Sequence, residues 1–109
     1  MADNAAAIFD SWSSSISANA EKAKEINAIY QFNLNGDNGG NWVLDMTVPE
    51  VRTGAADDAQ CSVTMEATDF VDMVNGDVQG QQLFMLGKLM IEGDMGLALR
   101  LQQVFEAVS

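Results

Sequence analysis

The chain has 109 residues, 48% of them apolar and 19% charged, with a formal net charge of -11. This length supports one small domain spanning the whole chain, built on a single core, and the composition is that of a globular rather than a disordered chain. The basic residues Lys22, Lys24, Arg52, Lys88 and Arg100 are few and scattered, which excludes nucleic acid as a partner and leaves at most transient contact with a membrane.

Residues 2–20 read as an amphipathic helix. Asp3 or Asn4 caps it, and Ala5, Ile8, Phe9, Trp12, Ile16 and Ala20 line one face. Serines on the other side lower its intrinsic propensity, so docking must hold it in place. It is a covering helix, and its position also suits a mobile gate over a pocket. After a polar connection at 21–27, with room to extend the helix by a turn, residues 30–35 alternate and send Tyr30, Phe32 and Leu34 inward. Residues 36–40 form a hairpin loop, rich in types that tolerate positive φ. The return strand sends Trp42, Leu44 and Met46 inward and Asp45 outward.

Residues 49–59 are a variable connection with a short edge strand near Val51, and Asp57 and Asp58 read as solvated loop charges. The next strand, 61–65, sends Cys61, Val63 and Met65 inward. Thr68 then caps a short helix carrying Phe70, Val71, Met73 and Val74, which Asn75-Gly76 ends. A second short helix spans 81–86 and carries Leu83. Residues 88–92 form a strand with Leu89 and Ile91 on one face and Lys88, Met90 and Glu92 on the other. Gly93 permits a turn and Asp94 caps a final helix. That helix is apolar on two sides. Leu97, Leu101, Val104, Phe105 and Val108 make one stripe, with Met95, Ala98 and Leu99 beside it. Something apolar must meet the second side, either more protein or a ligand.

Catalytic chemistry has little to stand on. The chain contains no histidine, and its carboxylates fall at caps, turns and outward strand positions. No phosphate loop, dinucleotide fingerprint or calcium loop appears, so neither a metal nor a cofactor is expected. One cysteine, Cys61, cannot form an internal disulfide, fits a reducing compartment, and reads as a small inert apolar residue. Neither a membrane-spanning apolar run nor a secretory signal is present. Seven methionines suit either gap-filling in a core or a surface that moulds itself to varied apolar shapes.

GKLMIEGDMGLALRLQ, from Gly87 to Gln102, resembles a segment of the sterol carrier protein 2 (SCP2) family. The resemblance extends to NWVLDM at 41–46, CSVTM at 61–65, DFVDMVNGD at 69–77 and QLFMLGKL at 82–89. It implies an α+β fold, with a five-stranded mixed sheet covered on one face by helices and an apolar lipid tunnel between them. It further implies a non-enzymatic intracellular carrier of a fatty acid, a sterol-like lipid or a fatty acyl-CoA.

The alternation pattern places Phe32, Leu44, Met46, Val63, Met65, Leu89 and Ile91 on the helix-facing side of that sheet. Phe9, Trp12, Ile16, Phe70, Val74, Leu83, Met95, Leu99 and Phe105 face them from the helices, and sequence does not separate tunnel lining from packing. The family often has Asn-Pro where this chain has Gln79-Gly80, so a looser helix start is expected there. It carries Met or Gln where this chain has Leu99, which favours a mostly apolar guest.

Two other functions stay open: an accessory module presenting a lipid or isoprenoid intermediate to a partner enzyme, and a small enzyme on a hydrophobic substrate. The final residues Ala107-Val108-Ser109 do not make a peroxisomal tripeptide. The expectation is therefore a free-standing cytoplasmic monomer.

Overall fold

The computed structural model describes residues 4–37, 39–100 and 104. Its centre is a five-stranded mixed sheet of β1 (Ile29–Asn35), β2 (Gly40–Asp45), β3 (Glu50–Thr53), β4 (Cys61–Glu66) and β5 (Leu89–Gly93). The spatial order is β3-β2-β1-β4-β5. Only the central β1–β4 pair is parallel, and the other neighbours are antiparallel. The edge strand expected near Val51 is β3.

The helices are α1 (Ala5–Ala18), α2 (Ala20–Ile26), α3 (Ala67–Val74), α4 (Gly80–Met85) and α5 (Met95–Ala98). Asn4 starts α1 by accepting the Ala7 amide at 2.8 Å on its side-chain oxygen, while Asp3 lies outside the described residues. The stretch read as a polar connection is in fact the two-turn helix α2. Asn27 ends it in the left-handed region, at φ 50°.

Thr68 does not cap α3. Glu66 is still paired to Asn35 in the sheet, so the helix begins at Ala67 and Thr68 sits exposed within its first turn. Strand and helix thus meet with no residue between them. At the other end of the sheet, Gly93 has φ +100°, and a Cβ there would lie 2.4 Å from the Gln60 carbonyl oxygen. Only glycine allows β5 to pass so close before Asp94 caps α5 through the Gly96 and Leu97 amides.

The inward phase of the strands holds as the alternation predicts. Tyr30, Phe32, Leu34, Leu44, Met46, Cys61, Val63, Met65 and Leu89 are buried under the helices. The opposite face is less open than expected. Residues 54–60 carry the chain from β3 to β4 across the outside of β2 and β1, and the Gln31 side chain fastens this strap. Its amide donates to the Gly54 carbonyl at 3.0 Å and accepts from the Ala56 amide at 2.8 Å. Val43, Gln31 and Asp45 are all buried on this face.

Asp45 is therefore outward-facing but not solvated. It accepts from the Thr47 hydroxyl and amide and from Arg52, whose guanidinium also reaches Glu50. Burial favours the neutral carboxyl and pushes its pKa up, but the Thr47 and Arg52 hydrogen bonds win and hold it below the ordinary aspartate range. A carboxyl depressed in the folded state contributes stability above its unfolded value of about 4, and that stability fades as pH falls further. Asp45→Asn is expected to flatten the acid limb of stability against pH below about pH 4, measured by urea unfolding. An unchanged acid limb would show that Asp45 is not the group responsible.

Candidate functional site

The space between α1 and the sheet is organised by Phe9. Its ring stacks on Trp42 at 4.7 Å and on Phe70 at 5.3 Å, with interplanar angles of 10° and 3°. Trp12 and Phe32 meet Phe9 edge-on at 5.1 and 5.5 Å, and Phe32 and Trp12 also contact Phe70. Four elements supply these rings because each presents one apolar phase: α1 every third or fourth residue, α3 through Phe70, and the strands β1 and β2 at every second residue. The rings stand where the family resemblance places an apolar tunnel.

Of the residues proposed from sequence, Phe9, Trp12, Ile16, Phe32, Leu44, Met46, Val63, Met65, Phe70 and Leu83 belong to one buried cluster. Val74 packs against it half-buried. Met95 and Leu99 do not join it. They are 51% and 86% exposed, because α5 turns Leu97 toward the core and leaves the second stripe outside. Val104 is buried, consistent with the first stripe, and Phe105 lies outside the described residues.

Tyr30 and Leu97 were not in that proposed set. The Tyr30 hydroxyl donates to the Leu97 carbonyl at 2.8 Å and ties α5 to the middle of the sheet. Burial, helped by Cys61, pushes the Tyr30 phenol up to about 12, with Arg100 opposing and Asp94 adding. The signal available in sequence was an oxygen on an inward strand phase otherwise filled by carbon.

Exposed large apolar residues concentrate in one stretch. Phe84, Met85, Leu86, Met90, Met95 and Leu99 all lie between α4 and the end of α5, and both helices pack on β5. A separate cleft of about 220 Å³ lies by the start of α1, lined by Asn4, Ala5, Asp37, Ala67, Thr68, Val71 and Asp72. It is smaller than the roughly 300 Å³ at which ligand pockets begin, and none of the residues proposed from sequence lines it. Among the described residues no group of His, Cys, Asp or Glu could hold a metal ion. The Cys61 thiol is buried and raised, first by desolvation and then by Asp94, so it stays protonated. No described helix is long and apolar enough to cross a membrane.

Residues 9–106 match the family described as the SCP-2 sterol transfer family. A Xenopus laevis protein, "Hydroxysteroid dehydrogenase-like protein 2", is 40% identical over 91 residues, covering 81% of this chain and 22% of its own length. The chain thus spans about a fifth of the curated relatives it matches. Among solved structures, the apo sterol carrier protein 2 of Yarrowia lipolytica superposes with a TM-score of 0.83. It is 28% identical, over 94% of this chain and 89% of the other. The Aedes aegypti sterol carrier protein 2 in complex with palmitate shares the fold, with a TM-score of 0.66 and 19% identity. That match covers 94% and 97% of the two chains.

Gly80 opens α4, the first element of the exposed apolar stretch. Its φ is not positive, its amide makes no hydrogen bond outside α4 among the described residues, and a Cβ there meets only the Met73 sulfur at 3.2 Å. Gly80→Pro is expected to stabilise the start of α4 by up to about 1 kcal/mol and to raise amide protection across residues 81–86. Equal hydrogen exchange in parent and variant would show that the glycine does not loosen this helix.

Proposed function

This chain belongs to the SCP-2 sterol transfer family, and we propose that it is a non-enzymatic carrier holding one long-chain lipid between its sheet and its helices. A fatty acid, a sterol-like lipid or a fatty acyl-CoA would fit the apolar interior. The observation that carries this reading is the pairing of an aromatic-lined interior with an exposed apolar stretch on α4, β5 and α5. Exposed apolar residues gathered in one stretch of chain suit contact with a lipid or a membrane surface. The palmitate complex of the Aedes protein supports the ligand class.

Lipid uptake on this reading exchanges ring contacts for chain contacts. A chain entering beside α5 displaces the Phe9 stack, and each buried methylene contributes ~0.8 kcal/mol. Apolar walls bind such a chain firmly but distinguish poorly between lengths. The net charge of -11 disfavours polyanionic acyl-CoA relative to a neutral lipid. Carriage rather than catalysis is favoured because the buried carboxylate, Asp45, lies on the far side of the sheet and is occupied by Thr47 and Arg52.

A second reading, a module that presents lipid to an enzyme, draws support from the relatives. These are several-fold longer and are named for a dehydrogenase-like protein. Specific co-purification with an enzyme would favour it over free carriage.

Native mass spectrometry of the purified protein, followed by solvent extraction, is expected to release one lipid per chain. A bare protein whose Trp12 and Trp42 fluorescence ignores added fatty acids and sterols would mean a permanently filled core, and the carrier reading would fall. Leu99→Gln tests the entry route. At 86% exposure it should leave stability within about 0.5 kcal/mol while slowing lipid transfer from phosphatidylcholine vesicles. Transfer at the parent rate would move the entrance elsewhere.

A further inference from the structure

The helix-facing wall of the sheet is carbon almost throughout. Among the described residues Tyr30 has its only buried side-chain oxygen, since Gln31 and Asp45, the other buried polar side chains, occupy the opposite strand phase. Its neighbours across the ladder are Leu44 and Cys61, and Phe32 follows it on the same face. Its ring is fully buried, yet its hydroxyl reaches the backbone of α5, between exposed Met95 and Leu99. The phenol therefore sits where the apolar interior meets the exposed apolar stretch.

The bond to Leu97 decides what the phenol has left to offer. A phenol carries one proton, and that proton is given to the Leu97 carbonyl at 2.8 Å. The oxygen keeps its acceptor capacity. With the phenol pushed up to about 12, it remains neutral under physiological conditions. Its complement is a donor. A lipid hydroxyl supplies one, whereas an ionised carboxylate only accepts and would be buried without a proton to meet it.

Resting on the carrier reading, we propose that Tyr30 is the head-group anchor of the site, accepting the hydroxyl proton of a neutral lipid alcohol whose apolar body lies along Phe32 and Val63. Donation from the ligand polarises the phenol and strengthens its own bond to Leu97, so a seated alcohol fastens α5 over itself.

Tyr30 is the only tyrosine, so an isotope label on the tyrosine ring carbon bearing oxygen reports this residue alone by NMR. The probes are hexadecanol and hexadecyl methyl ether, equal in chain but with and without a donor, delivered from phosphatidylcholine vesicles. The alcohol is expected to bind about five-fold more tightly and to shift the Tyr30 signal, and Tyr30→Phe should bring the ratio close to one. Equal binding of both probes by the parent protein, with an unmoved Tyr30 signal, overturns the anchor and leaves the carrier reading standing. Binding of neither probe overturns both. If Tyr30→Phe fails to fold, the labelled parent protein decides the question.

Discussion

The structure depends on one side chain meeting two others face to face. Phe9 comes from a helix with little intrinsic preference to form, Trp42 from a strand and Phe70 from a second helix. Stacked rings add about 0.5–1.5 kcal/mol per pair beyond the area they bury. α1 is therefore held chiefly at the point where its apolar face enters this sandwich. The same contact closes the space that a lipid would occupy. Holding the helix and excluding the ligand are then a single interaction, and a guest that displaces the rings must replace their contacts with its own.

The sheet and its inward face were legible because alternation is a strong signal when one face meets a core. Tyr30, Phe32, Val63 and Met65 fall where period two puts them. The helix-facing set was largely legible for the same reason. What failed was local or long-range in origin. Thr68 looks like a cap, but the pairing of Glu66 with Asn35 fixes where α3 begins. Asp45 looks solvated, but Thr47 and Arg52 close over it, and the strap at 54–60 is likewise invisible to periodicity until Gln31 is seen holding it. The two stripes of the final helix showed that one side needed another partner, without saying which side met the core. Packing chose Leu97, leaving Met95 and Leu99 at the surface.

The two faces of the sheet are built to different standards. The outer face is fastened by directional bonds: Gln31 to the strap, Asp45 to Thr47 and Arg52, and the Gln60 side chain to the Ile29 amide. The inner face is held mainly by non-directional apolar contact, with Tyr30 as its one strong directional tie to α5. Hydrogen bonds fix a geometry, whereas apolar contacts tolerate substitution of one hydrocarbon surface for another. That division would suit the proposed carrier, whose frame must persist while its contents are exchanged.

The junction of β4 and α3 has a mechanical consequence. With Glu66 in the sheet and Ala67 in the helix, no linker residue separates them, so α3 is tied directly to the central strand pair. Along the chain, α1 is joined to β1 through Asn19, α2 and the left-handed Asn27, a chain of joints with several rotatable links. On the carrier reading, any widening of the interior would fall to α1, moving against Phe70 on the directly joined α3. A carrier built this way would open like a vice with one fixed jaw.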